Sequence, residues 1–296
     1  MTHSQQSTVN SQHSTVNTQQ STVNTQQSTV NSQQSTITDG ATGNDMTQWY
    51  KEDLAYIHDV GHSDYALKSA PAILNILAQN NLQQGLVVDL GCGSGLSALE
   101  FTKAGYRVLG VDISESLIAI ARNRVPDGEF RVESLFKTDI PRCNAVTSIG
   151  ECLNYLFDAD NDRQNLVQFF RRIYHALTEG GVFIFDIAEP GQIVAGNTTK
   201  GFTEGKDWIV LVEKEENQEN ETLIRRIITL RKVGETYRRD DEIHCLRLYK
   251  AKDIAEALDR AGFQVQIIGS YGEYKLPKAH AGFVARKPIL EANSIA

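Results

Sequence analysis

VVDLGCGSG, residues 87–95, joins a short apolar run to three glycines spaced two apart. The run, LVVDL from Leu86, is continuous rather than alternating, as expected of a strand buried on both faces. Gly91, Gly93 and Gly95 let the backbone turn sharply and come close to a ligand before a helix through Leu96, Leu99 and Ala104 begins. Downstream, RVLGVDI (107–113) is a second buried strand, and Asp112 closes it 17 residues after Gly95. A carboxylate at that position can accept the hydroxyls of a bound ribose.

The loop also indicates which nucleoside. A dinucleotide loop reads G-x-G-x-x-G and aims a helix N-terminus at a pyrophosphate. This one reads G-x-G-x-G with Asp89 just ahead of it. That carboxylate would repel a pyrophosphate and attract a cationic, amine-bearing ligand. S-adenosylmethionine, a sulfonium with an α-amino group and no phosphate, is such a ligand.

The rhythm around the loop is strand and helix in alternation, which means βαβ units and a parallel sheet. A helix opens at Ser114 and stops at Pro126–Gly128; FRVESL (130–135), NAVTSIG (144–150) and GVFIFDIA (181–188) supply three more strands. The helix from Asn161 to Glu179 is expected to end at Gly180–Gly181. Upstream, 46–58 and 66–79 have helical spacing, with a break at Pro71 or a helix starting near it. Residues 206–249 read instead as three strands without a helix, an antiparallel insertion. A last helix (KDIAEALDRAGF) precedes two strands, FQVQIIGSYG and AGFVARK, too close in sequence for a crossover helix and so expected to pair antiparallel.

From about Leu86 to Ile187, and more weakly to Lys287, the chain resembles the class I S-adenosylmethionine-dependent methyltransferases. The resemblance implies an α/β fold with a doubly wound, mostly parallel seven-stranded sheet and a reversed C-terminal hairpin. It implies Asp89, Gly91, Cys92 and Gly93 around the methionine portion, Asp112 on the ribose and Ile113 against the adenine. Ser134 and Leu135 would sit at the adenine rim and Gly150 near the sulfonium. The family often has Asp where Ser134 stands; here the acid is Glu133, one residue earlier.

Methyl transfer from a sulfonium is an in-line displacement, and much of its rate comes from holding nucleophile and methyl aligned. A base is needed only when the nucleophile must lose a proton. Candidates for the acceptor side are Glu151, which follows the fourth strand, Tyr56 and His58 on the helix before the core, and His244 after the insertion strands. Asp186 could line the pocket from the end of the fifth strand, and Tyr249 follows the insertion. Asp240, Asp241, Glu242 and His244 have metal-ligand chemistry, but the run also holds Arg238 and Arg239 and reads as salt-bridged surface, so no metal site is expected. Cys92 and Cys152 read as small packing residues.

The remainder of the 296 residues limits the possibilities. Residues 4–38 are five copies of one seven-residue unit of the SQQSTVN type, without charge or aromatic side chain. Such sequence buries too little to offset its ordering entropy. The expected division is a disordered repeat tail and linker over 1–45, a methyltransferase domain over 46–290 with its insertion at about 200–249, and a C-terminal tail over 291–296. A net charge of −8 argues against a nucleic-acid substrate and for a small-molecule acceptor. No apolar run approaches the ~20 residues of a membrane span, no signal-peptide layout opens the chain, and four scattered cysteines make no disulfide framework. These features point to a cytoplasmic protein of undetermined oligomeric state. Two rivals share the loop: a nicotinamide-dependent oxidoreductase, and a non-catalytic S-adenosylmethionine-binding module that recruits partners through its tail.

Overall fold

The computed structural model describes residues 49–158 and 161–289; the expected repeat tail, linker and C-terminal tail lie outside the described residues. Seven strands form one sheet in the order β10-β13-β5-β4-β1-β2-β3. They are β1 (Leu86–Leu90), β2 (Arg107–Asp112), β3 (Glu129–Val132), β4 (Cys143–Ser148), β5 (Leu177–Ala188), β10 (Gln264–Ile268) and β13 (His280–Arg286). The five strands from β1 to β5 run parallel, and β13 is antiparallel to both of its neighbours. The chain reverses direction between β4 and β2 on either side of β1, so the carboxyl ends of β1 and β4 flank the crevice where such sheets bind ligands.

Period-two alternation sorts each central strand between two layers. On β5, Phe183, Phe185 and Ile187 face a core with Phe169, Phe170 and Ile173 of α5 (Arg163–Ala176) and Leu258 of α6 (Ala251–Arg260). Val182 and Ile184 face the opposite core, with Ile73 and Leu77 of α2 (Asp64–Gln79), Phe101 of α3 (Leu96–Lys103) and Ile118 of α4 (Glu115–Arg124). Sandwiching the sheet this way is what makes its strands read as unbroken apolar runs.

Several boundaries differ from the sequence reading. Helix α2 runs through Pro71 without a break. The carbonyl that the missing N–H would have bonded belongs to Leu67, on a solvent-facing turn where water can satisfy it. Helix α5 stops at Ala176, and Gly180–Gly181 lie inside β5 rather than at a helix end. The pairing of β4 with β5 shifts register between Cys143 and Ala145, and Gly180 (φ +73°) takes up the irregularity. Strand β3 ends at Val132 because the Ser134 hydroxyl and carbonyl accept from Phe136, Lys137 and Thr138, closing a turn.

The insertion is a separate antiparallel sheet of four strands, not three: β6 (Thr198–Glu204), β7 (Trp208–Asn217), β8 (Thr222–Val233) and β9 (Thr236–Arg247). Strand β6, TTKGFTE, is exposed along its whole length and is recruited only by backbone pairing with β7, so it carries no hydrophobic pattern to read. A two-stranded ribbon, β11 (Ser270–Tyr271) with β12 (Tyr274–Lys275), rises before β13. Helix α1 (Glu52–Gly61) is fastened to the insertion: Arg231 and Arg238 both bond the buried Asp53, and Leu54 and Ile57 pack on Trp208, Val210 and Ile227. That attachment carries α1 and the residues before it across the crevice. Among the described residues no helix is long and apolar enough to cross a membrane.

Candidate active site

The crevice holds a cavity of about 340 Å³, within the range of small-molecule sites. Its floor is the glycine loop. Gly91 (φ +75°) turns the chain out of β1, and a Cβ there would collide with the Cys152 thiol. The loop is pinned to β2, since the Gly91 and Cys92 N–H groups donate to the Val111 carbonyl at 2.7 and 3.0 Å. Gly93 N donates to one Asp112 oxygen and Ser114 N to the other, each at 2.9 Å. Burial raises the Asp112 carboxyl above its ordinary value, and these backbone donors oppose the shift. Both oxygens keep lone pairs that open on the cavity, where Asp112 and Ile113 are flanked by Leu117, Leu135 and Phe136. The arrangement is a carboxylate for a diol beside an apolar slot for a flat base.

Asp89 lies deeper, 3% exposed, and accepts the Thr147 hydroxyl at 2.7 Å. Burial pushes its carboxyl up to about 6, partly countered by that hydrogen bond. It faces a smaller hollow between the loop and α2, shared with Gly91, Cys92 and Gly93. The Cys92 thiol is raised well above its ordinary value by burial and is no nucleophile. Gly91, Gly93, Asp112, Ile113, Ser134, Leu135 and Gly150 all line the main cavity. Of the nine residues expected on the cofactor side, these seven share the main cavity, whereas Asp89 and Cys92 line the smaller hollow.

At the opposite end the key residue is Glu151, whose backbone is left-handed (φ +49°), a conformation that costs a non-glycine residue energy and collects at functional sites. Asp186 holds it there, accepting from Gly150 N at 3.0 Å and Glu151 N at 2.6 Å, with the Tyr271 hydroxyl at 3.2 Å. Burial pushes the Asp186 carboxyl up to about 6, against these donors. Glu151 itself is clamped between two cations: Arg225 Nη1 at 2.7 Å and His280 Nε2 at 3.1 Å. Burial alone would raise the Glu151 carboxyl, yet Arg225 and His280 hold it far below the usual range. His280 also meets the Lys278 carbonyl through Nδ1 at 3.0 Å, so both ring nitrogens face acceptors. Burial works against the imidazolium, but Glu151 prevails and raises it. Arg225 further donates to the Tyr155 hydroxyl at 3.0 Å, which lies 3.2 Å from that of Tyr50.

The structure does not bring two of the expected residues into the cavity. Tyr56 turns away: its hydroxyl donates to Asp207 at 3.1 Å and its ring lies 3.8 Å beneath the Arg231 guanidinium, so it anchors α1 to β8. His244 is fully buried behind Tyr50 and Phe157, bonded to Glu242 at 2.8 Å. Nor are Glu242 and His244 salt-bridged surface. Glu242 is buried and accepts the Tyr50 and Lys51 N–H groups at 2.9 and 2.8 Å, strapping that segment over the crevice. The surface reading holds for Asp240, which pairs with Lys51, and for Asp241, which pairs with Arg239. Tyr249 is a packed residue bonded to Asn161. His58 and Asp186 do line the cavity.

Tyr50, Tyr65, Tyr155, Arg225 and His280 were not singled out from sequence. One signal was present: on β8, alternation puts Arg225 on the same face as the buried Leu223 and Ile227, a charge on an inward face. The others reach the site only through tertiary packing.

Comparison with known proteins finds methyltransferases. Residues 87–181 match the family model described as a methyltransferase domain. Over 125 residues the chain is 37% identical to the 18S rRNA (guanine(1575)-N(7))-methyltransferase of Saccharomyces cerevisiae, covering 39% of this chain and 45% of that protein. Over 226 residues it is 21% identical to the dTDP-3-amino-3,4,6-trideoxy-alpha-D-glucopyranose N,N-dimethyltransferase of Streptomyces venezuelae, covering 74% of this chain and 93% of the other. In fold it is similar to an S-adenosylmethionine-dependent methyltransferase of Clostridium acetobutylicum, with a TM-score of 0.68 at 21% identity over 81% of this chain and 99% of that one.

Proposed function

We propose that this chain, a class I S-adenosylmethionine-dependent methyltransferase, methylates the nitrogen of a small-molecule amine by in-line displacement. S-adenosylmethionine, when bound, supplies an electrophilic methyl group on a sulfonium leaving group. Asp112 would take the ribose hydroxyls, Ile113, Leu117 and Leu135 the adenine, and Gly91 and Gly93 the close approach of the methionine portion.

The observation that carries the choice of nitrogen is that the acid–base groups gathered around Glu151 are committed to one another and to neighbouring backbone groups. Glu151 is held by two cations, Asp186 by three donors and His280 by two acceptors. Burial pushes the Tyr155 hydroxyl up to about 12. An alcohol would need one of these groups to take its proton as the bond forms. An amine sheds its proton to bulk water beforehand and arrives with its own lone pair. The fixed groups then orient rather than deprotonate, and Tyr50, Tyr65 and Tyr155 wall off the reacting nitrogen.

A small acceptor is supported by the strap over the crevice, by the net charge of −8, and by the amino-sugar methyltransferase among the relatives. The test is transfer of labelled methyl to matched panels of small amines, their hydroxyl analogues, and ribosomal RNA. Turnover confined to amines is expected; methylation of hydroxyl analogues or of RNA, with the amines inert, would overturn the proposal.

A further inference from the structure

We infer that β6, the outer strand of the insertion, docks a second copy of this chain, the two strands pairing antiparallel about a twofold axis at Phe202. Among the described residues β6 has β7 on one side and no strand on the other. Gly205 N donates to the Trp208 carbonyl at 2.9 Å, continuing the β6–β7 register. Antiparallel strands alternate between bonded and unbonded pairs, so Thr203 and Gly201 also turn their main chain toward β7. Lys200, Phe202 and Glu204 therefore present their N–H and carbonyl groups to the open edge. Their side chains share one face with Ile209 and Leu211, opposite the Trp208 and Val210 face that packs on α1. There Phe202 is 70% exposed, at the end of a cross-strand row Phe202–Leu211–Ile228. An unpaired edge that carries such a row is a template for another strand.

The sequence of β6 is complementary to itself in one register. Main-chain bonds across the open edge join outward-facing residues to outward-facing residues, so even-numbered positions must meet even-numbered ones. Centring the pair on Phe202 sets ring against ring at the axis. It also sets Lys200 against Glu204 of the second copy, once on each side of the axis. Sliding the strands by two residues one way puts Lys200 opposite Phe202 and Glu204 opposite Thr198; sliding them the other way sets Lys200 against Lys206. Opposite charges and aromatic pairs across strands stabilise a sheet, and like charges weaken it. A lysine on an edge strand ordinarily bars a neighbouring chain; in this register each lysine meets an acid. Lys200 already bonds Glu213 of its own β7 at 2.7 Å, and an ammonium has further donors for a second carboxylate. The row Ile228–Leu211–Phe202 then meets its twin, and two four-stranded sheets become one.

The experiment is sedimentation of the full chain at concentrations up to about 100 µM, where mass action favours association; a monomer–dimer equilibrium is expected. Glu204→Lys sets lysine against Lys200 on both sides of the axis and should weaken the dimer at least about tenfold. Adding Lys200→Glu to Glu204→Lys restores opposite charges in the same register. That double variant should recover most of the affinity, although its own-chain pair with Glu213 is lost. Both charge variants alter exposed side chains alone, so the melting temperature should hold within a few degrees. Phe202→Pro removes the N–H that faces the open edge, a change an edge strand tolerates, and should abolish the dimer. A wild-type chain that stays monomeric throughout would overturn the inference. So would a dimer that Glu204→Lys leaves intact, a double variant as weak as the single one, or a dimer that survives Phe202→Pro.

Discussion

The two ends of the crevice are made differently. The end proposed for the cofactor is built locally: the glycine loop, the Asp112 carboxylate held by two N–H groups, and side chains from residues 91 to 136 in neighbouring βα units. The acceptor end is side chains converging from far apart, with Glu151 after β4, Arg225 from the insertion and His280 opening β13. A backbone site tolerates little change in shape, whereas a side-chain site can be retuned residue by residue. The variant that should break the contrast most sharply is Gly91→Val. It forces a branched side chain into φ +75° and against Cys152, costing about 2–5 kcal/mol from backbone strain and overpacking together. Cofactor binding should vanish in titration, and the denaturation midpoint should fall.

Next in size is Asp112→Ala. It removes the acceptor proposed for the ribose and orphans Gly93 N and Ser114 N. Two hydrogen bonds to a charged group are at stake, so S-adenosylhomocysteine affinity should fall by about 100-fold. Asp112→Asn, which keeps an acceptor oxygen, should lose less. An unchanged affinity for Asp112→Ala would dissolve the distinction between the two ends.

The same contrast explains what the sequence could reveal. The loop, Asp112 and the parallel strands are local: glycine spacing, an acid at a strand end and unbroken apolar runs each act within a few residues of their cause. Chain order therefore carried most of the sheet and the lining of the glycine-loop end of the crevice. Tyr155, Arg225 and His280 meet only because β9 bridges to Tyr155 and β13 lies against β5, and no local pattern encodes that. His244 shows the opposite error. Its residue type suggested chemistry, but it serves to hold Glu242 and, through it, the Tyr50 segment. Strand β6 was invisible because its pairing is entirely main-chain.

Arg225→Ala tests whether the acceptor end can be dismantled alone. The side chains of Arg225 and Glu151 are only 13% and 17% exposed, and removing one member of a buried pair strands the other. His280 still holds Glu151, so the cost should be about 2–4 kcal/mol, short of the 3–5 typical of a sole pair. Acceptor KM should rise while S-adenosylhomocysteine affinity stays within about twofold. Loss of cofactor binding in parallel would show the two ends to be one cooperative unit.

The smallest effect is one of pH, and it separates the partners of Glu151. The Glu151 carboxyl is depressed in the folded chain, so its stabilisation is present above the unfolded value of about 4.3 and lost only as acid titrates the folded group. His280 is raised, so its contribution is complete below its unfolded value of about 6.5 and disappears as pH rises through the folded one. Stability measured by chemical denaturation should therefore decline modestly as pH rises from the unfolded value of His280 through its raised folded one. His280→Gln should flatten that decline and leave the acid limb in place, because the acid limb belongs to Glu151 and Arg225. If the alkaline decline survives in His280→Gln, the second cation on Glu151 is not His280, and the acceptor end rests on Arg225 alone.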